Sequence, residues 1–460
     1  MSDSANELGC APVGRLLFKL AVPTIAAQIV NMLYNIVDRI YIGHIPDVGS
    51  QALTGVGVTF PIILLISAFS ALIGMGGAPR ASIAMGQGRN DQAEQVLGNC
   101  FSAQTITALV LTVFFLLTQK QILVLFGASA DTMPYALEYL NIYVLGTLFI
   151  QIALGMNGFI TTQGQSRIAM YTVLIGAALN IILDPVFIFV FHMGVRGAAA
   201  ATVISQMVSA LWVVRFLTGP KTLLRLKREN LRCHASILLP VIALGLSPFV
   251  MQSTESLLAI TFNVSLAKYG GDIAVGSMTI LTSLLQMLNL PMVGLTQGAQ
   301  PIISYNYGAK QVDRLKKAVL LLTACATTYT LLFWLATRLF PQAIVSIFTN
   351  DAALIEFTCG ALSVYLAAAF MMGFQMAFQQ SFIALGEAKI SLFLALLRKI
   401  ILLIPLILIL PKLLSNKLFA VFLAEPVSDF LAASTTTVIF LIRFRQILKE
   451  LRGEPAASAS

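Results

Sequence analysis

Apolar residues run along this chain in long blocks broken by short polar punctuation, and the blocks are of membrane-spanning length. Crossing the hydrocarbon core of a bilayer takes about 20 apolar residues in a helix, and charge-free runs of that order recur at 52–79, 97–119, 139–166, 197–214, 273–309, 318–337 and 357–386. Glycine, proline and charged residues divide the pattern into twelve predicted helices near 15–42, 52–80, 95–118, 132–162, 168–191, 197–217, 237–267, 274–304, 316–340, 356–384, 390–411 and 418–442. The polar start MSDSANELGC and the length of the first apolar segment do not fit a cleaved signal peptide, so the first helix is expected to stay.

Composition fits the pattern. The chain has 460 residues, 58% of them hydrophobic and 11% charged, far from the quarter charged of a soluble domain. The net charge of +9 does not imply nucleic acid, because the basic residues are sorted by side. Of 29 Lys and Arg, 20 fall on the segments that share a side with the N-terminus, 6 fall opposite, and Arg39, Arg398 and Lys399 lie within helices. By the positive-inside rule both termini are expected to be cytoplasmic. The five cysteines are scattered, the three histidines have no metal-ligand company, and no GxxxxGK[ST] motif is present, so no cofactor is expected.

The basic connection 215–234 divides the chain into similar halves. Tyr143 in LNIYVLGTLF corresponds to Tyr365 in LSVYLAAAF, and Gly164 to Gly386, both at an offset of 222; a second block sets Gly88 on Gly308 at 220. The predicted fold is therefore an all-α polytopic membrane protein of two pseudo-symmetric six-helix lobes, an N-lobe over 1–218, a linker over 219–235 and a C-lobe over 236–460. Repeats of this kind place a substrate cavity between the lobes. The halves are not equivalent: Asn180 and Asp184 fall on Leu402 and Leu406, and Asp38 falls near Asn263.

Carboxylates inside apolar stretches are expensive, so they face a cavity, pair with a cation or move protons. Five occur: Asp38, Asp184, Glu255, Glu425 and Asp429. Asn31, Asn35 and Asp38 stack on one face of the first helix, Asn180 and Asp184 are an i, i+4 pair before Pro185, and Thr202 can add a hydroxyl. Two carboxylates, an amide oxygen and a hydroxyl form a hard-oxygen set that suits Na+, and the same carboxylates can take protons. The alternative is a polar network that only packs helices. Gln252, Glu255, Thr279, Gln286, Gln375 and Gln379, with Asn31 and Asn35, are candidate cavity walls, whereas Glu425 and Asp429 are expected to pair structurally with Arg398 or Lys399. The methionines, among them Met287, Met292, Met371, Met372 and Met376, would supply an adaptable apolar wall.

The segments LAVPTIAAQIVNMLYNIVDRIYIGHI, ALTGVGVTFPI, LNIILDPVFIF with GVRGAAAATVISQ, and QGAQPIISYNYGAK resemble the multidrug and toxic compound extrusion (MATE) transporters of the MOP superfamily, especially the MepA-type bacterial branch. The resemblance spans nearly the whole chain. It implies two lobes around a V-shaped cavity, alternating access, and export of drugs and organic cations by a monomer in exchange for Na+ or H+. It also implies a cation site on Asp38, Asn180, Asp184 and Thr202. On the tenth helix, where some branches use an acid, this chain has only Gln375 and Gln379. A flippase for a lipid-linked precursor is the rival reading, with fourteen helices and a basic cavity as its expected marks.

Overall fold

The structure, a computed structural model, describes residues 3–453, so the extreme ends of both predicted cytoplasmic termini lie outside the described residues. A short helix, Asp3–Cys10, precedes the spans. These are α1 (Val13–Gly43), α2 (Gly49–Gly86), α3 (Asn90–Leu125), α4 (Met133–Leu145 with Thr147–Thr162), α5 (Ser166–Val190) and α6 (Val195–Thr218) in the first half. The second half holds α7 (235–270), α8 (272–308), α9 (Val312–Leu339), α10 (Ala352–Tyr365 with Ala369–Ala384), α11 (Ala388–Leu413) and α12 (Lys417–Arg452). Among the described residues there are thus twelve spans and no strand, each close to its predicted position.

α7 and α8 form one apolar stretch, Ala235–Gly308, broken at Gly271 with φ 63° and ψ −159°. That single residue turns the chain back. At about 1.5 Å per residue, unbroken helix would hold Val241 and Tyr305 roughly 96 Å apart. Instead, Val241 packs against Gly76 and Tyr305 against Gly86, ten residues apart on α2. Only glycine reaches such a backbone without strain.

The two bent spans restate the repeat. α4 bends by 58° at Gly146 and α10 by 48° around Ala368, again 222 residues apart. Left-handed backbone recurs at the same offset, at Gly164 and Gly386 (φ 78° and 80°) and at Gly88 and Lys310 (φ 74° and 55°). The 222 register therefore also governs the second block, and the expected pairing of Gly88 with Gly308 is off by two residues. Gly86 is the counterpart of Gly308.

The lobes meet along one end. α1 contributes Leu16, Leu17, Leu20 and Ala21 to a core shared with Ile302, Ile303 and Leu315 of the second half. Thr24 Oγ1 donates to the Gly294 carbonyl at 2.6 Å, Gln28 Nε2 to Gln297 Oε1 at 3.1 Å, and Ser82 Oγ to the Pro301 carbonyl at 3.3 Å. Phe69 and Phe249 meet edge to face with ring centroids 5.0 Å apart. These contacts lie in the halves of α1, α2, α7 and α8 nearer the basic loops. In the opposite halves, Ile36 and Ile40 of α1 and Leu257 and Val264 of α7 are exposed, so the lobes diverge as a V. The linker is strapped to the N-lobe: Gln163 Oε1 accepts from Thr222 Oγ1 and from the Leu223 and Leu224 amides, and Asn99 Oδ1 accepts from the His234 amide.

Candidate functional site

Asp38 on α1 and Asp184 on α5 come side by side in the outer half of the N-lobe. Pro185 explains why the chain can present Asp184 there. It lacks an amide hydrogen, the backbone beyond it widens into a π-helical turn at Val186–Val190, and carbonyls one turn earlier are released. Asn180, one turn before Asp184, donates through Nδ2 to Asp184 Oδ1 and to Thr202 Oγ1 on α6, both at 3.3 Å. Asp184 is fully buried, and Asn180 and Thr202 are nearly so. The structure therefore brings Asp38, Asn180, Asp184 and Thr202 into one cluster.

Three oxygens in this cluster, Asp38 Oδ1, Asp184 Oδ2 and Asn180 Oδ1, are buried without a hydrogen-bond partner. Buried polar atoms are ordinarily satisfied, so a set of unpaired oxygens around two carboxyls fits a bound monovalent cation or proton. Arg39, the residue after Asp38, lies over the Phe60 ring at 5.2 Å. Two tyrosines complete the pocket and were not singled out from sequence. Tyr139 and Tyr34 lie within electrostatic reach of Asp38. Tyr139 and Tyr143 stack with centroids 5.8 Å apart. The spacing of four between Tyr139 and Tyr143 along α4 was the available signal for Tyr139.

The candidate cavity walls separate into two groups. Asn35, Glu255, Thr279 and Gln286 are exposed and Asn31 and Gln252 half-exposed, on helices that border the open V. Asn35 Nδ2 bonds back to the Asn31 carbonyl at 2.6 Å. Gln375 and Gln379 do not belong with them: both are buried inside the C-lobe. Gln379 Nε2 donates to Ser247 Oγ at 2.9 Å and to the Ser391 carbonyl at 2.8 Å, tying α7, α10 and α11 together. Interior helix-to-helix hydrogen bonds take up the Gln379 amide nitrogen, while its Oε1 stays unpartnered, where the sequence suggested a cavity wall.

The C-lobe charges are internally paired. Arg398 Nη2 lies 2.8 Å from Asp429 Oδ1 and 3.5 Å from Glu425 Oε1. Lys399 does not join them as its direct partner; it pairs with Glu255 across 144 residues of sequence and donates to the Met251 carbonyl at 2.7 Å. Glu255 is thus a wall residue with a built-in counter-ion. Arg398 and Lys399 sit in a π-helical stretch, Leu397–Leu403, caused by Pro405 one turn on.

Twelve apolar spans around an open cleft, with an ion-ready carboxyl pair in one lobe, define a membrane transport protein, not an enzyme. The chain belongs to the MatE family, whose model matches residues 23–186 and 248–409. It is similar to the Multidrug export protein MepA of Staphylococcus aureus (strain N315), 25% identical over 439 residues and covering 95% of each chain. It is also similar to MepA of Staphylococcus haemolyticus (strain JCSC1435), 24% identical with 91% and 92% covered. Among solved structures it resembles the MATE multidrug transporter DinF-BH, at 36% identity and TM-score 0.87, covering 94% of this chain and 96% of that one. A MATE transporter in a bent conformation has the same fold, with TM-score 0.92, 22% identity and 98% and 100% covered.

Proposed function

We propose that this protein is a secondary multidrug exporter that moves organic cations out of a bacterial cell in exchange for entering Na+ or H+. The observation that carries this reading is the Asp38–Asp184 pair, which together with Asn180 presents three unpartnered oxygens and, among the described residues, forms no salt bridge. Two buried carboxyls side by side repel one another when both are charged, and either a proton or a bound Na+ relieves that repulsion. Loading the site removes charge from the N-lobe interior and so shifts the balance between two conformations that bury it differently.

With the termini cytoplasmic, as the basic-residue distribution supports, the lobes are sealed on the cytoplasmic side and open to the outside. Export then requires the reverse state, in which the seam of α1, α2, α7 and α8 opens and the outer halves close. The protein works as a monomer, each chain containing both lobes and the cleft. Twelve spans and a C-lobe whose two buried cations are paired speak against the flippase reading.

The test is efflux of ethidium, a fluorescent organic cation, from proteoliposomes under an imposed pH gradient and, separately, an imposed Na+ gradient. Efflux driven by either one supports the proposal. Movement of dye that neither gradient accelerates would overturn it.

A further inference from the structure

α12 is longer than a bilayer is thick. Its 36 residues, Lys417–Arg452, measure about 54 Å at helical rise against about 30 Å of hydrocarbon. Exposed residues form one row along its second half: Val438, Leu441 and Ile442, then Arg445 and Lys449, at the three- and four-residue steps that keep to a single face. The apolar part of the row lies at the end of the molecule where the lobes meet, so there is no cleft for it to face and the bilayer covers it. Lys449 follows about 10 Å beyond Ile442, and the row therefore passes from hydrocarbon through the headgroup layer.

α11 repeats the pattern beside it. Lys389 is exposed one turn before exposed Phe393, with exposed Ile400 two turns further. Ile390 and Leu394 of α11 pack into the same core as Phe440 and Ile447 of α12, and Arg443 Nη2 lies 2.8 Å from Glu387 Oε1. Lys389 and Arg445, each two residues on from that bridge, thus flank one seam. Arg443 also holds Glu450 at 2.9 Å. Both carboxylates are thereby engaged, whereas Lys389, Arg445 and Lys449 form no salt bridge among the described residues. Like charges four apart on a helix repel, so Arg445 and Lys449 leave a concentration of positive charge with nothing from the protein to balance it. The N-lobe has no equivalent. At the 222 offset these two positions fall in the linker, on half-buried Leu223 and on Lys227, which pairs with Glu94 at 2.5 Å.

We propose that this end of the α11–α12 seam is a binding site for one anionic phospholipid. Its phosphate sits between Arg445 and Lys449, whose Cβ atoms lie about 6 Å apart by helix geometry. Lys389 adds its charge from the other side of the seam, and the acyl chains run along Phe393, Leu441 and Ile442. A free phosphate would meet the cations alone. The continuity of the basic row with the apolar one on a single helix face is what selects a lipid. The inference needs only that the chain spans a bilayer, and it does not depend on the export reading or on the coupling ion.

The test puts a fluorescent reporter in the seam: full-length protein carrying Phe393→Trp, with Trp212→Phe and Trp334→Phe to remove the native tryptophans, in vesicles containing brominated phosphatidylglycerol or brominated phosphatidylcholine. Brominated chains quench tryptophan on contact, so the signal reports an acyl chain at position 393 and is blind to free phosphate. Phosphatidylglycerol should quench more strongly at equal mole fraction. That preference should fall about fivefold for each cation removed in Arg445→Gln and Arg445→Gln/Lys449→Gln. Lys316→Gln/Lys317→Gln, which removes exposed cations from α9, should keep it. A second reading leaves the native tryptophans in place: spin-labelled phosphatidylglycerol should be enriched around the wild-type protein over spin-labelled phosphatidylcholine, and less so around Arg445→Gln/Lys449→Gln. Equal quenching by the two lipids, or a preference unmoved by Arg445→Gln/Lys449→Gln, would overturn the proposal. So would an equal loss in Lys316→Gln/Lys317→Gln, which would mean diffuse attraction to a basic surface and no site.

Discussion

Gly86 and Gly308 stand in mirror roles at the seam between the lobes. A Cβ at Gly86 would lie 2.1 Å from the Tyr305 carbonyl oxygen, and a Cβ at Gly308 would lie 2.1 Å from that of Ile83. Glycine for glycine and partner for partner, the two contacts are 222 residues apart. The closed end is therefore built from backbone contact between α2 and α8, which a side chain on either glycine would force apart.

Gly308→Val should open that seam. Overpacking of this kind costs about 1–3 kcal/mol, charged here only to the closed state. A cysteine at Ser82, fully buried in the seam, should then react faster with a soluble maleimide in the valine variant than in its absence. Unchanged labelling would mean that this contact does not hold the lobes together.

Asp184→Asn and Asp38→Asn keep the size and hydrogen bonding of each side chain while removing the charge that an ion can switch. Each variant should insert and fold, bind ethidium, and lose gradient-driven efflux by about 5–150-fold, the range of ordinary coupling energies. Proteoliposome transport with a parallel binding assay separates loss of coupling from loss of affinity.

Arg398→Met should be severely destabilising, because Asp429 and Glu425 would remain buried without their cation. Breaking a buried pair from one side costs about 3–5 kcal/mol. The triple variant Arg398→Met/Glu425→Gln/Asp429→Asn, which removes the stranded charges too, should recover much of the melting temperature. If it melts no higher than the single variant, the cluster is not an electrostatic unit.

Gln379→Ala should lower thermal stability by about 1–3 kcal/mol through lost interior hydrogen bonds and leave ethidium affinity unchanged. A cavity-wall residue would give the opposite result, altered affinity with stability intact.

Cysteines replacing Lys227 and Lys120 should label from opposite faces of the membrane, Lys227 from the cytoplasmic side. Labelling of both from outside would reject the assigned orientation.

Much of this architecture was legible in the chain because bilayers impose a local rule. A span must be long, apolar and helical to satisfy its own backbone, so twelve elements could be counted, Gly271 falls in the expected gap between two of them, and Asn31, Asn35 and Asp38 could be set on one face from spacing alone. The repeat could be read too, although its second block needed the left-handed pair Gly88 and Lys310 to correct the offset from 220 to 222. What the chain could not show is which way each polar side chain turns once helices pack. A buried glutamine is equally content facing a wet cleft or the serines of two neighbours, and Gln379 took the serines. A buried lysine needs a carboxylate, but several were in reach by composition, and only the packing of α7 against α11 gave Lys399 to Glu255 and left Glu425 the odd charge. Helical periodicity is set by the backbone of one segment, whereas the rotation of that segment against its neighbours is set by contacts from residues far away in sequence. The elements and their polar faces therefore belonged to the sequence, and the pairing of the charges belonged to the fold.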